Sequence, residues 1–264
     1  MNETKLWIEQ EGEGPLLATS VHAGHDIRNE LLPLVAIDEA TRLREEDPYT
    51  DAWVHVVPSW LIPKRSRFEV DLNRQREDAV YLSPEFAWGL HIWKHPPTQK
   101  AIERSLDEYD EFYEELGKII GDLVKHYGHL VIFDLHAYNY RREGPDFPPA
   151  DPEANPEVNI GTGSVNKEIY GALVERFVSD LSDANFLGRS LDVRENVKFE
   201  GRQVAHWIHE KFPNSTCVLA LEFKKIFMDE WTGAGFVKEI EAIRDALAST
   251  LPGLLEELKA IPIK

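Results

Sequence analysis

Three short apolar runs constrain the fold of this 264-residue chain more than any other feature. They are LLATSV at 16–21, LVIFDL at 130–135 and CVLALEF at 217–223. Runs of this length are typical of strands that are buried on both faces of a parallel sheet. A fourth segment, SRFEVDL at 66–72, alternates apolar and charged residues and predicts a half-exposed strand.

Helical patterns lie between these runs. The clearest spans 98–127, where apolar residues recur every three or four positions, with Thr98 as the predicted N-cap and Gly128 as the stop. The segments 165–181 and 236–260 are also predicted to be helices. Strands that alternate with helices indicate an α/β fold, with a mostly parallel mixed sheet flanked by helices.

The chain is predicted to form a single domain, 1–264. The segment 143–159 carries five prolines and predicts a long irregular loop within that domain. The N-terminal sequence MNETKLWIEQ has neither the basic start nor the apolar core of a secretory signal, and no apolar run approaches the roughly 18 residues of a membrane span. A single cysteine, Cys217, fits a buried thiol in a reducing compartment, so we expect a cytoplasmic protein.

Polar residues stand at the end of each predicted strand. His22, His136 and Glu222 follow or close the apolar runs, and Asn73 with Arg74 follows 66–72. Because ligands of open α/β sheets bind outside the carboxyl ends of the parallel strands, these side chains are predicted to converge.

That set suits a metal site. Two histidines and a carboxylate can hold zinc and leave a fourth position open for water. A second carboxylate such as Glu222 can act as general base, and Asp134 lies on the strand face of His136, where it can orient the imidazole. A single histidine at a strand end is more often a hydrogen-bonded structural residue than a metal ligand, and the pair His22 and His136 brings the two interpretations to about even.

Five segments together resemble the N-formylglutamate amidohydrolase family. They are VHAGHDIR at 21–28, VDLNR at 70–74, DLHAYN at 134–139, PEVNIGTG at 156–163 and LALEFKKIFMDE at 219–230. The resemblance implies a fold similar to the zinc carboxypeptidases. It also implies one zinc ion on His22 and His136, Glu222 as base, Asn73 and Arg74 as a clamp on a substrate carboxylate, and Asn159 and Thr162 as pocket residues.

The third metal ligand is left open by this resemblance. Where family members carry an Asp-Thr-Asp segment, this chain has REEDPYTDAW at 44–53, which offers Glu46, Asp47 and Asp51. The ligand spacing of carboxypeptidases points instead to His25. Asp47 is favoured, with His25 as the next candidate.

The predicted function is hydrolysis of the N-acyl amide of a small acidic amino acid such as N-formylglutamate, with Arg141 or Arg142 helping to stabilise the oxyanion. Carboxypeptidase-like or broader deacylase activity, and a non-catalytic binding role, are the alternatives. The formal net charge of −18 disfavours nucleic acid and anionic membranes as partners. The charge also opposes an anionic substrate, so the basic residues near the motifs must reverse the field locally: Arg74, Arg76, Arg141, Arg142, Lys224 and Lys225.

Overall fold

The computed structural model describes residues 5–262. The first four residues, which begin the N-terminal segment discussed above, and the last two residues of the predicted domain lie outside the described residues. Within that range, seven strands form one sheet in the order β1-β3-β2-β4-β7-β5-β6. Their bounds are β1 Trp7–Gln10, β2 Leu16–Thr19, β3 Ser59–Pro63, β4 Leu130–Tyr138, β5 Val158–Gly161, β6 Val193–Glu195 and β7 Thr216–Lys224.

The centre of the sheet is parallel. Strand β2 pairs in parallel with β3 and β4, β4 pairs in parallel with β7, and β5 with β6. In the described range the antiparallel pairs are β1 with β3 and β5 with β7. The predicted mixed, mostly parallel sheet is therefore confirmed. Strand β4 continues to Tyr138, beyond the predicted run, and this extension sets His136 directly opposite Glu222 of β7.

Helices cover both faces of this sheet. Their bounds are α1 Glu39–Glu45, α2 Gln99–Tyr127, α3 Lys167–Asp183, α4 Gln203–Lys211 and α5 Val237–Ala260. The three predicted helices correspond to α2, α3 and α5. The Thr98 side chain accepts a hydrogen bond from the Ala101 amide, and Gly128 ends α2 at a φ of 80°, as the sequence predicted.

Two apolar layers result. Helices α3 and α5 pack on one face of the sheet, and α2 and α4 pack on the other. Cys217 is fully buried in the first layer, as expected. Between residues 5 and 262, none of the helices combines the length and apolar character that crossing a membrane requires.

The prediction of a strand at 66–72 is wrong. The segment forms tight turns, with the Glu69 amide donating to the Ser66 carbonyl at 2.9 Å. Its charged residues are buried like its apolar ones, because Arg67 pairs with Asp71 at 2.8 Å and Glu69 pairs with Arg28 at 2.5 Å. Alternation therefore reflected buried ion pairs rather than one face turned to water.

The corresponding strand is β3, SWLIP, which the sequence reading missed together with β1, β5 and β6. The proline-rich segment 143–159 is irregular apart from a short 3-10 turn at Pro152–Ala154 and the start of β5 at Val158.

Candidate metal centre and active site

Three buried side chains meet at the carboxyl end of the parallel strands. His22 follows β2, His136 lies on β4, and Asp47 follows α1. Nδ1 of His22 and Nδ1 of His136 are 3.2 Å apart, and each lies 3.3 Å from Oδ2 of Asp47. The structure thus brings together two of the predicted ligands with the favoured third one.

The far nitrogen of each imidazole faces a second carboxylate. Nε2 of His22 lies 2.7 Å from Oδ1 of Asp71, and Nε2 of His136 lies 3.0 Å from Oδ1 of Asp134. The Asp71 carboxylate itself accepts hydrogen bonds from the Arg67 guanidinium, the Tyr81 hydroxyl and the backbone N–H of Asn73. An imidazole whose Nε2–H donates a hydrogen bond to a carboxylate turns an Nδ1 lone pair towards Asp47.

Three acceptor atoms therefore converge on one point. Such an arrangement is repulsive unless a proton or a cation lies between the atoms. Burial raises the pKa of Asp47, but the hydrogen bonds and charges of the two histidines outweigh it and hold that pKa well below its usual range. Burial lowers the pKa of His136, but the neighbouring Asp134 carboxylate more than reverses this, and the net pKa is well above normal.

The dimensions of this triangle fit a tetrahedral metal. Zinc bonds of about 2.0–2.1 Å place neighbouring tetrahedral ligand atoms about 3.3 Å apart. The three observed separations are 3.2, 3.3 and 3.3 Å. Two imidazole nitrogens and one carboxylate oxygen are also the donor types that zinc takes in catalytic sites, so the residues present fit the ion.

The local charge balance points the same way. Five carboxylates lie in or around the site, from Glu45, Asp47, Asp71, Asp134 and Glu222, and four cations line it, namely Arg67, Arg142, Arg202 and Lys225. Apart from Nε2 of His136, 3.0 Å from its Oδ1, the Asp134 carboxylate has no hydrogen-bond partner in the described part of the chain. A cation bound between the two histidines and Asp47 would lower the cost of burying these carboxylates.

Glu222 stands beside this cluster. It pairs with His136 in the β4–β7 register and lines a cavity of about 80 Å³ together with His22 and Asp47. Its side chain is part-exposed, because it opens into this cavity rather than into the core. Burial raises the pKa of Glu222 to about 7, with the nearby histidines opposing that rise. A carboxylate with this pKa can take up and release a proton near neutral pH.

Two cations that the sequence did not predict at the site, Arg67 and Arg202, also line the cavity. Arg67 was predicted on an exposed strand face, and Arg202 belonged to no motif. The four-residue spacing of Arg67 and Asp71 was the available signal for the first, since it matches a local ion pair. The sequence carries no comparable signal for Arg202.

The remaining candidate ligands lie elsewhere. His25 pairs with Glu46, and this hydrogen bond raises the pKa of His25. Glu46 also accepts from Ser66, and Asp51 is exposed. In this structure the His25 ring contacts Glu46, the C-cap residue of α1.

Two of the three predicted arginines, Arg74 and Arg142, line a cavity. Arg142 lines the metal cavity and pairs with Glu45 at 3.0 Å. Arg141 instead donates to the Pro145 carbonyl. Arg74 lines a neighbouring cavity of about 880 Å³ and donates to the Phe86 carbonyl at 3.2 Å. Asn73 lines both cavities, with its Nδ2 3.2 Å from Nε2 of His136.

Asn159 and Thr162 do not line the metal cavity. Asn159 is fully buried, and its Oδ1 accepts hydrogen bonds from the amides of residues 197–199. Thr162 bonds to Glu195 and Asn196. Both side chains are used to fix the loop that follows β6, and this loop carries Phe199 and Arg202 to the cavity.

Fold and site together define an α/β protein with a candidate metal centre at the carboxyl ends of its parallel strands. The sequence profile of the N-formylglutamate amidohydrolase family matches residues 14–228. This chain belongs to that family.

Two solved structures of high TM-score agree in fold. N-formylglutamate amidohydrolase from Ralstonia eutropha JMP134 superposes with a TM-score of 0.76 at 16% identity, covering 98% of each chain. The gene product Atu2144 from Agrobacterium tumefaciens gives 0.70 at 16% identity, covering 95% of this chain and 96% of that one. A metallo-carboxypeptidase from Burkholderia cenocepacia gives 0.39 at 12% identity, over 91% of this chain and 56% of the other. A comparison with curated proteins finds no significant match.

Proposed function

We propose that this chain is a zinc-dependent amidohydrolase that removes a formyl-type acyl group from a small anionic N-acyl amino acid, with residues 1–264 acting as one domain. The observation that carries the proposal is the convergence of Nδ1 of His22, Nδ1 of His136 and Oδ2 of Asp47 within 3.3 Å of one another. Membership of the family supports an amide as the substrate, and N-formylglutamate is the compound in the family's name.

Each ligand has a defined protonation state in this proposal. His22 and His136 keep their protons on Nε2, facing Asp71 and Asp134, so that both Nδ1 atoms can bind the metal. When bound, a divalent ion would polarise the amide carbonyl and acidify a water molecule.

Glu222 performs the proton transfers. Its carboxylate accepts a proton from the attacking water and then delivers that proton to the nitrogen of the leaving amine. Burial raises the pKa of Glu222 above that of an ordinary carboxyl, which suits a group that acts first as base and then as acid.

Acyl size and oxyanion stabilisation follow from the cavity. A space of about 80 Å³ suits a formyl group better than a long or aromatic acyl group. Arg142, which lines this space, is the arginine that we propose for the developing oxyanion, rather than Arg141.

The test combines metal analysis with hydrolysis. We expect about one zinc ion per chain, release of glutamate from N-formylglutamate, loss of activity on chelation and its return with zinc. Asp47→Asn should lose both metal and activity, whereas Asp51→Asn, at an exposed carboxylate of the same segment, should retain both.

Two results would contradict the proposal in different ways. Full hydrolysis by metal-free protein would refute the zinc mechanism. A zinc-loaded protein that cleaves short peptides but no N-acyl amino acid would refute the substrate and favour a carboxypeptidase-like activity.

A further inference from the structure

Four cationic side chains line the metal cavity, namely Arg67, Arg142, Arg202 and Lys225. Three of them are already engaged within the protein. The partners of Arg67, Arg142 and Lys225 are, in that order, Asp71 at 2.8 Å, Glu45 at 3.0 Å, and the carbonyl oxygens of Arg44 and Glu46 at 2.6 and 2.7 Å. Each of these three side chains therefore already has a polar partner within the protein.

Arg202 differs from these three. Its guanidinium has no hydrogen-bond or ion-pair partner among residues 5–262, and its side chain is exposed. It also lines the neighbouring cavity of about 880 Å³, so it stands where the two cavities meet.

The backbone around Arg202 is held firmly. Asn159 fixes the preceding residues 197–199 through their amides. Gly161 lies so close to this loop that an added Cβ would stand 2.5 Å from the backbone nitrogen of Gly201. On the other side, the Val204 amide donates to Oδ1 of Asn73 at 3.1 Å.

Asn73 also lies beside the metal cluster, with its Nδ2 3.2 Å from Nε2 of His136. An exposed guanidinium without an internal partner is suited to bind an anion. Because its backbone is already anchored, binding costs little backbone conformational entropy.

Resting on the proposed function, we propose that Arg202 binds the carboxylate of the N-acyl amino acid, the role that the sequence had suggested for Arg74. A carboxylate bound here leaves the small metal cavity to the acyl group and directs the amino-acid side chain towards the larger cavity. The substrate class is therefore a small acyl group on an amino acid whose side chain extends away from the metal.

The experiment is steady-state kinetics of Arg202→Met and Arg202→Lys. With N-formylglutamate, Arg202→Met should raise KM about tenfold to a hundredfold with a much smaller change in kcat, since a charge-assisted hydrogen-bond pair is lost. Arg202→Lys should recover part of the affinity. The defect should shrink with the substrate analogue in which the bound carboxyl is an amide, tested as N-formylglutamine and N-formylisoglutamine.

Arg74→Met is measured in parallel as the competing assignment, and Arg244→Met, at an exposed arginine on α5, controls for loss of one surface charge. A large KM effect in Arg74→Met with none in Arg202→Met would overturn the inference while leaving the amidohydrolase proposal intact. Equal defects of Arg202→Met on the acid and on both amides would overturn it too. A wild-type protein that is inactive on every N-acyl amino acid would instead refute the proposed function itself.

Discussion

Replacing Lys225 by methionine tests how the third metal ligand is held. Lys225 follows β7 and is 1% exposed. Its ammonium donates to the carbonyls of Arg44 at 2.6 Å and Glu46 at 2.7 Å, at the end of α1 and immediately before Asp47. Methionine keeps most of the apolar stem but removes the charge and both hydrogen bonds.

Two opposing terms set the effect on stability. Each carbonyl left without a donor costs about 1–3 kcal/mol, so the pair costs about 2–6 kcal/mol. Burial lowers the pKa of Lys225 from 10.5 to about 8. Below that pH the lysine is charged in both the folded and the unfolded chain, and the shift corresponds to about 3 kcal/mol of destabilisation. Lys225→Met removes this cost, so we expect a net loss of at most about 3 kcal/mol in the metal-free protein.

Metal affinity should respond more clearly than stability. Asp47 lies in an irregular segment, and without the Lys225 anchor its carboxylate is no longer held against the two histidines. Loss of an outer contact of this kind typically weakens metal binding about tenfold to a hundredfold.

The assay is zinc competition against a chelator, with urea unfolding of the metal-free proteins. Lys225→Arg, which keeps donors and charge, should bind zinc nearly as the wild type does. Lys224→Met is the matched control, because Lys224 is similarly buried but does not line the metal cavity. Zinc affinity of Lys225→Met within twofold of the wild type would refute the reasoning.

Three further predictions concern the same site. Glu222→Gln should keep zinc but lose about 10²–10⁴-fold in kcat, which kinetics with metal analysis checks. In the wild type, kcat/KM should fall as the pH drops through a limb at or below about 7, because burial raises the pKa of Glu222 to about 7 and a bound cation lowers it again. A limb above pH 8 would contradict the assignment of Glu222 as the base. Asp134→Asn should weaken zinc binding about tenfold to a hundredfold in a chelator competition, since Nε2 of His136 loses its carboxylate, whereas the exposed Asp146→Asn should not. Across N-formyl, N-acetyl and N-benzoyl glutamate, kcat/KM should decline with acyl size because the metal cavity is only about 80 Å³; equal rates would refute that limit.

Local patterns in the sequence determined the central sheet and two of its histidines. The runs at 130–135 and 217–223 are apolar because β4 and β7 are buried on both faces, and the polar residues that follow such parallel strands share one edge of the sheet. Helix α2 was equally readable, because periodicity and both end signals agree along its length.

The edge strands and the turns at 66–72 were decided by tertiary contacts. Strand β3 is a short segment between β1 and β2, with no sequence signal of its own that separates it from a loop. At 66–72 the charged positions pair with partners as distant as Arg28, so the alternation there mimics an amphipathic strand.

The full cation set and the third ligand needed the folded chain. The two ring nitrogens that nearly touch belong to residues 114 positions apart, and Asp47 joins them from a third segment. Glu46, Asp47 and Asp51 are chemically alike, and only the direction of each side chain separates them. The order of residues along the chain indicates which segments are buried and whether they are periodic. The arrangement of the metal ligands depends instead on where distant segments meet in space.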